Sequence, residues 1–230
     1  MASRKMPQKI LCAGMHRSGS TWLFNAIRLI YICNSDSVYS YFFSEYDPKE
    51  GQNASIHVAK THQFKNVLTT SNYDYIFTTR RDLRDLAASA VRKGMIENRT
   101  RPIIKFLRKV LSEEYDAWSC YSDMEIVYEE MMENDIEIIK KIAQFLNIDV
   151  DPASVSRAVN SLPFPKKGED YFRDTQLHYQ HRTSSAPSSY KLTLSKRTIR
   201  IIETKFSTWL FNHRYIPEKR TMFLPRFRIG

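Results

Sequence analysis

Apolar positions in this chain follow two rhythms that alternate along its length. Ile10-Leu11-Cys12-Ala13 is a short unbroken apolar run of the kind a buried strand uses. Leu23, Ala26, Ile27 and Ile30 then recur at helical spacing. Ile56-His57-Val58-Ala59-Lys60 alternates with a period of two, and Tyr75-Ile76-Phe77-Thr78-Thr79 is β-branched and aromatic, so both predict strands. Asp82 stands where it can cap a helix carrying Leu83, Leu86, Ala87 and Ala90. A long helical pattern runs from Pro102 toward Tyr121. Met124-Glu125-Ile126-Val127-Tyr128 predicts a fourth strand, and Ile136, Ile139, Ile142, Ala143 and Leu146 mark an amphipathic helix. A final helix carries Ile199, Ile202, Phe206 and Leu210.

The segments between these elements lack a period. Residues 35–55 are aromatic and polar and read as surface loops. Residues 162–190, rich in Pro, Ser, Lys and Tyr, read as an ordered loop or an active-site lid, and 217–230 as a tail. Strand and helix patterns in alternation predict a single α/β domain over 1–230, with a central, mainly parallel sheet flanked by helices. A chain of 230 residues can bury one sizeable core. In such sheets ligands bind beyond the carboxyl ends of the strands, and the chemical motifs of this chain all fall there.

Charge narrows the ligand only to something anionic. Lys and Arg total 35 against 25 Asp and Glu, a formal +10, which suits nucleic acid, a membrane surface or a small polyanion. No block of consecutive basic residues stands out, so a tail-type nucleic-acid binder is disfavoured. Cys12, Cys33 and Cys120 have no metal-like or CxxC spacing and are expected to be buried, reduced thiols. No tight His/Cys/Asp cluster suggests a metal, so none is expected. The N-terminus is unlike a signal peptide and no apolar run is long enough for a bilayer. A cytoplasmic protein with no membrane partner is the expectation.

The segment Gly14-Met15-His16-Arg17-Ser18-Gly19-Ser20-Thr21-Trp22 joins the first strand to the first helix. A strand, a glycine-bounded turn and a helix N-terminus make an anion cradle of converging N–H groups. Against the nucleotide-binding pattern GxxxxGK[ST], Gly14, Gly19 and Thr21 fit, but Ser20 replaces the lysine. That lysine reaches the outer phosphates of a triphosphate. Its absence, with Arg17 inside the loop, points to a different phosphate-bearing donor. Lys60-Thr61-His62 ends the second predicted strand and sets an ammonium and an imidazole two residues apart, on one side of an extended segment. Such a pair can neutralise a leaving oxygen and take a proton from an attacking hydroxyl. A lysine and histidine that merely end a strand in water are the plainer alternative. Arg81 sits just before the start of the next helix and Ser89 two turns into it, and the two can clamp a second phosphate. The plainer alternative there is an arginine paired with Asp82 or Asp85.

Taken in order, MHRSGSTW, KTH, RRDLRDLAAS and VYEEM before an amphipathic helix closely resemble the sulfotransferases that use 3′-phosphoadenosine 5′-phosphosulfate (PAPS) and release adenosine 3′,5′-bisphosphate (PAP). In the cytosolic branch these motifs read roughly YPKSGTTW, KTH, RNPKDVAVS and YEDM. The resemblance runs from about residue 9 to 148, with a weaker stretch from 194 to 215. It implies the P-loop-like sulfotransferase fold and transfer of a sulfuryl group from PAPS. It also implies roles for individual residues. Arg17, Ser18, Gly19, Ser20 and Thr21 would hold the 5′-phosphosulfate, while Trp22 and Tyr128 would lie on adenine. Arg81 and Ser89 would hold the 3′-phosphate, Lys60 would meet the bridging oxygen, Arg17 with Lys60 would meet the charge growing on the leaving phosphate, and His62 would be the general base. The family's C-terminal RKGxxGxW grip has no plain counterpart, and Arg182, Thr183 and Ser184 are the preferred match. The implied acceptor is a small organic molecule of natural-product type, sulfated on a hydroxyl or alternatively an amine or carbamoyl nitrogen. Tyr39, Tyr41, Phe42, Phe43, Tyr46 and Tyr171 offer aromatic surface for it. A P-loop kinase or NTPase, and a non-catalytic nucleotide- or nucleic-acid-binding module, are the rival readings.

Overall fold

A computed structural model describes residues 6–64, 72–179 and 186–217. Strands β1 (Gln8–Cys12), β2 (Val38–Phe42), β3 (Ile56–Lys60), β4 (Tyr75–Arg80) and β5 (Met124–Val127) form one sheet in the order β2-β3-β1-β4-β5. Every neighbouring pair is parallel, with Cys12 opposite Lys60 and Phe77. The predicted α/β sheet is therefore present, and strictly parallel among the described residues.

The helices are α1 (Ser20–Cys33), α2 (Leu83–Arg92), α3 (Thr100–Val110), α4 (Asp116–Ser119), α5 (Tyr128–Glu133), α6 (Asp135–Phe145), α7 (Pro152–Asn160), α8 (Tyr190–Thr193), α9 (Lys196–Lys205) and α10 (Ser207–Asn212). Asp82 caps α2 as expected, its carboxylate accepting from the Arg84 N–H at 2.8 Å. None of the described helices is long and apolar enough to cross a membrane.

The sheet is buried on both faces, which is why its strands read as near-continuous apolar runs. Ile10 and Cys12 of β1 face a core shared with α1, α6 and α7, whereas Leu11 and Ala13 pack with Tyr41, Ala59, Ile76 and Trp118 on the other side. A further cluster joins Met15 to α2, α3, α9 and α10. The chain leaves central β1 for β2 and β3 on one side, then crosses to β4 and β5 on the other. The crevice at that reversal is where an open parallel sheet places its ligand.

Several expectations need correction. Residues 35–55 are not all loop, because Val38–Phe42 pairs along β3 as the edge strand. Its alternating tyrosines carry β propensity that the polar flanks concealed. Tyr128 opens α5 instead of closing β5. Ile136 points to solvent, since the buried stripe of α6 is Ile138, Ile139, Ile142 and Ala143. The long helix starts at Thr100 and is interrupted by a π-helical turn, Leu111–Tyr115. The final helix breaks at Phe206, which takes φ −118° and ψ 24°. Only Cys12 is a buried thiol, while Cys33 and Cys120 are exposed.

Candidate active site

The turn after β1 stays zipped to β4. Ala13 N–H donates to the Phe77 carbonyl at 2.8 Å and Met15 N–H to that of Thr79 at 3.3 Å. This contact leaves no room at Gly14 (φ 106°), where a Cβ would lie 2.6 Å from the Thr79 nitrogen. Buried Ser18 locks the turn from inside, its Oγ donating to the Met15 carbonyl and accepting from Thr79 Oγ1, each at 2.5 Å. Arg17 holds a left-handed φ of 65°, strain of the kind that gathers where a loop must present groups to a ligand. Gly19 then caps α1 at φ 92° with no side-chain cap and no acid in the first turn. A Cβ there would meet Met131 at 2.7 Å and Tyr128 at 3.0 Å.

Basic side chains close on this turn from three strand ends. Lys60 Nζ donates to Thr21 Oγ1 at 2.6 Å, Arg17 Nε to Ser89 Oγ at 3.2 Å, and an Arg81 nitrogen to the Arg17 carbonyl at 3.2 Å. The Arg81 guanidinium lies 3.8 Å over the Tyr128 ring. Burial pushes the Lys60 ammonium down to about 8; Cys12 acts against that shift and Arg17 adds to it. Burial, then Arg81, also lowers Arg17. Neither Arg17 nor Lys60 has a carboxylate within ion-pair distance among the described residues. Buried cations without acids are costly unless something anionic answers them.

His62 completes the rim. Its Nδ1 is 2.9 Å from the Gly14 carbonyl. A carbonyl only accepts, so Nδ1 carries the hydrogen and Nε2 the lone pair. Burial first, then His16 and Lys60, hold the ring far below the ordinary histidine range and keep it neutral. These groups share one cavity of about 960 Å³, the upper end of what a small-molecule site uses.

No protein-family profile and no curated protein sequence matches this chain. Solved structures do. Mouse sulfotransferase SULT7A1 complexed with PAP aligns over 90% of this chain and 86% of its own at 16% identity, with a TM-score of 0.62. Retinol dehydratase in complex with androsterone and the inactive cofactor PAP aligns over 91% and 82% at 14% identity, with a TM-score of 0.61. Its complex with retinol and PAP gives a TM-score of 0.59 at 14% identity.

The chain has the sulfotransferase fold.

Within this sulfotransferase fold the predicted residues gather as their order implied. Arg17, Gly19, Ser20, Thr21, Trp22, Lys60, His62, Arg81, Ser89 and Tyr128 all line the cavity, and Ser18 braces it from behind. Arg182, Thr183 and Ser184 lie outside the described residues. The arginine–aspartate pairing considered for Arg81 belongs to Arg84, which clasps Asp82 at 2.6 Å. Of the six aromatics proposed for an acceptor, Phe42 and Tyr171 line the cavity. Tyr39, Tyr41 and Tyr46 instead pack together around His57.

Other groups were not read from sequence. Arg92 and Lys93 follow Ser89 by three and four residues, hence on the same helical side. Burial, then Arg81, lowers Arg92; burial, with Arg17 and Arg92, pushes Lys93 down to about 8. His178 is lowered by burial, then by Arg17, Lys93 and Lys60. His16 and Glu114, 98 residues apart, meet at 2.6 Å. With His62 they form the His/Glu cluster that the sequence did not show, their ligating atoms within 4.8 Å. The rings of His16 and His62 stack at 3.8 Å and 27°. Lone pairs lie in the ring planes, so stacked imidazoles do not converge on one ion, and each Nδ1 is already engaged. The donor set does not fit a metal centre.

Proposed function

We propose that the protein is a PAPS-dependent sulfotransferase, moving a sulfuryl group from PAPS to a hydroxyl, or alternatively an amine or carbamoyl nitrogen, of a small organic acceptor. The observation that carries this reading is a pair of cationic grips in one cavity: Arg17 and Lys60 at the glycine-bounded turn, and Arg81 just before α2 with Ser89 two turns into it, where Arg17 Nε also donates. A donor with two separated phosphates matches both, and the likeness to PAP-bound structures supports the same donor.

In this reading the N–H groups after Gly19, with Ser20, Thr21 and Arg17, hold the 5′-phosphosulfate. Arg81 and Ser89 hold the 3′-phosphate, and Trp22 and Tyr128 flank the base. Lys60 meets charge growing on the leaving oxygen. His62 Nε2 removes the acceptor's proton. Positioning and fixed charge supply most of the rate, as in other transfers of this kind. The acceptor lies beside Phe42, Met95, Tyr171 and Leu177, which give the cavity apolar lining. A triphosphate enzyme would need a lysine where Ser20 stands and an acid at the end of β4, where the chain has Arg80 and Arg81.

Calorimetry and thermal unfolding with PAP, 5′-AMP and ATP with Mg²⁺ test the reading. A clear preference for PAP, with a raised unfolding midpoint, is expected. Preference for ATP, indifference to the 3′-phosphate or tight binding of RNA overturns it.

A further inference from the structure

The cavity holds one arrangement that these roles leave unused. Glu114, 5% exposed, reaches in from the π-helical turn Leu111–Tyr115. One of its oxygens accepts the His16 backbone N–H and the other meets His16 Nδ1, each at 2.6 Å. An ionised carboxylate only accepts, so Nδ1 carries the hydrogen and the open nitrogen of His16 is Nε2. His62 has the same tautomer from the Gly14 carbonyl, and both rings line the cavity.

The two stacked imidazoles are nevertheless unequal. His62 is buried, pinned behind by the Trp118 Nε1–H on its carbonyl at 3.2 Å, and surrounded by Lys60, Arg17 and His16, with no carboxylate partner among the described residues. A proton taken there sits among positive charges. His16 has a private carboxylate to balance an imidazolium, and its side chain is 34% exposed. A histidine oriented through Nδ1 by a buried acid is a general device for holding a transferred proton.

We propose that His16, oriented by Glu114, is the proton outlet of this site, receiving on Nε2 the proton that His62 takes from the acceptor. The proposal rests on the sulfuryl-transfer reading. In the step, the acceptor O–H bond breaks, its electron pair forms the new O–S bond, and the S–O bond to the donor's phosphate breaks with its pair leaving on phosphate. The proton passes to His62 Nε2, then through one cavity water to His16 Nε2, because stacked rings do not point nitrogen at nitrogen. Nothing is oxidised or reduced. His16 acts through His62, and Glu114 is a positioning residue for His16.

The test compares His16→Gln and Glu114→Gln in the full chain, after calorimetry shows that each binds PAP within about twofold of the parent. Turnover is measured with a panel of aliphatic alcohols and with a phenol already ionised at the assay pH. An ionised acceptor releases no proton and has no use for an outlet. Expected is a loss of roughly ten- to a hundredfold on alcohols, at or below the usual cost of losing an acid–base group, little loss on the phenol, and partial rescue of His16→Gly by added imidazole. Equal loss on both acceptor types, or none on either, overturns the outlet. If the parent shows no preference for PAP over 5′-AMP and ATP, the sulfuryl-transfer reading itself fails. Nitrogen-15 spectra of the imidazoles in the PAP-saturated protein then judge the pair separately. A His16 Nδ1–H tautomer that Glu114→Gln abolishes supports the anchoring, and an Nε2–H tautomer in the parent overturns it.

Discussion

Arg80 and Arg84 sit at one end of the sheet's carboxyl edge, Arg17 and Lys60 at the middle of it, and the two pairs are held in opposite ways. Arg84 contacts Asp82 at 2.6 Å and Glu203 at 2.7 Å, and donates to the Tyr215 carbonyl at 2.9 Å; Arg80 pairs with Glu125. Burial works against their charge, but the hydrogen bonds they donate to Glu125 and Asp82 more than offset it, and both guanidinium groups end above their ordinary range. Among the described residues Arg17 and Lys60, both withdrawn from solvent, have hydroxyl partners for their side-chain nitrogens and no acid, and both end below it. Proximity of basic residues therefore does not mark a ligand site. What marks it is the missing acid. The first pair ties β4 and α2 to the C-terminal helices, whereas the second presents its positive charge to the cavity.

The largest effect that sharpens this contrast is chemical. His62→Ala is expected to lower turnover by about 10²–10⁴ while PAP binding stays intact, as steady-state rates beside calorimetry would show; unchanged turnover removes His62 from the mechanism. Next comes Arg84→Met on the structural side. It strands a buried carboxylate, so urea unfolding should report a loss of about 3–5 kcal/mol with PAP affinity preserved once folded. If Arg84→Met instead weakened PAP binding and left stability alone, the contrast would collapse. Lys60→Met should do the reverse. It removes a buried charge that no acid answers, so the ligand-free protein should unfold no earlier than the parent, while PAP affinity drops by about tenfold, the fall for one charge-assisted contact worth ~1.4 kcal/mol.

The smallest effect is in pH. Lys60 and Lys93 lie near 8 in the folded protein against 10.5 for an ordinary lysine. The unfolded chain therefore binds more protons between those values, and ligand-free stability should rise with pH across that window. PAP affinity should fall over the same range as the ammonium groups are lost. Calorimetry in two buffers of different ionisation enthalpy should detect proton uptake on PAP binding above about pH 8, and Lys60→Met should diminish it.

Much of this was legible in the sequence because it is local. A strand, a glycine-bounded turn and a helix lie within residues 8–33, and Lys60 and His62 close a strand directly, so chain order alone carried them to one edge of a parallel sheet. Edge strand β2 was obscured because its alternation lasts only five residues. Its two buried positions, Ser40 and Tyr41, include a serine that no hydrophobic pattern would select. His16 and Glu114 could not be paired from sequence at all. Their contact depends on how far a helix is wound between residues 100 and 119, which no apolar periodicity encodes. Nor did the aromatic richness of residues 39–46 separate a ligand wall from a self-packed cluster, since both need the same residue types.

The π-helical turn at Leu111–Tyr115 gives the site an unusual dependence on chain length. Such a turn accommodates one residue more than an α-helix does. Excising a single residue from regular α3 ahead of this turn, where no extra residue is stored, would rotate the side chains that follow by about 100°. Glu114 would then face away from His16 although neither residue had been substituted. The aim of this carboxylate is thus stored in a count of residues as much as in their identity, and an insertion or deletion here is as consequential for the site as a point mutation within it.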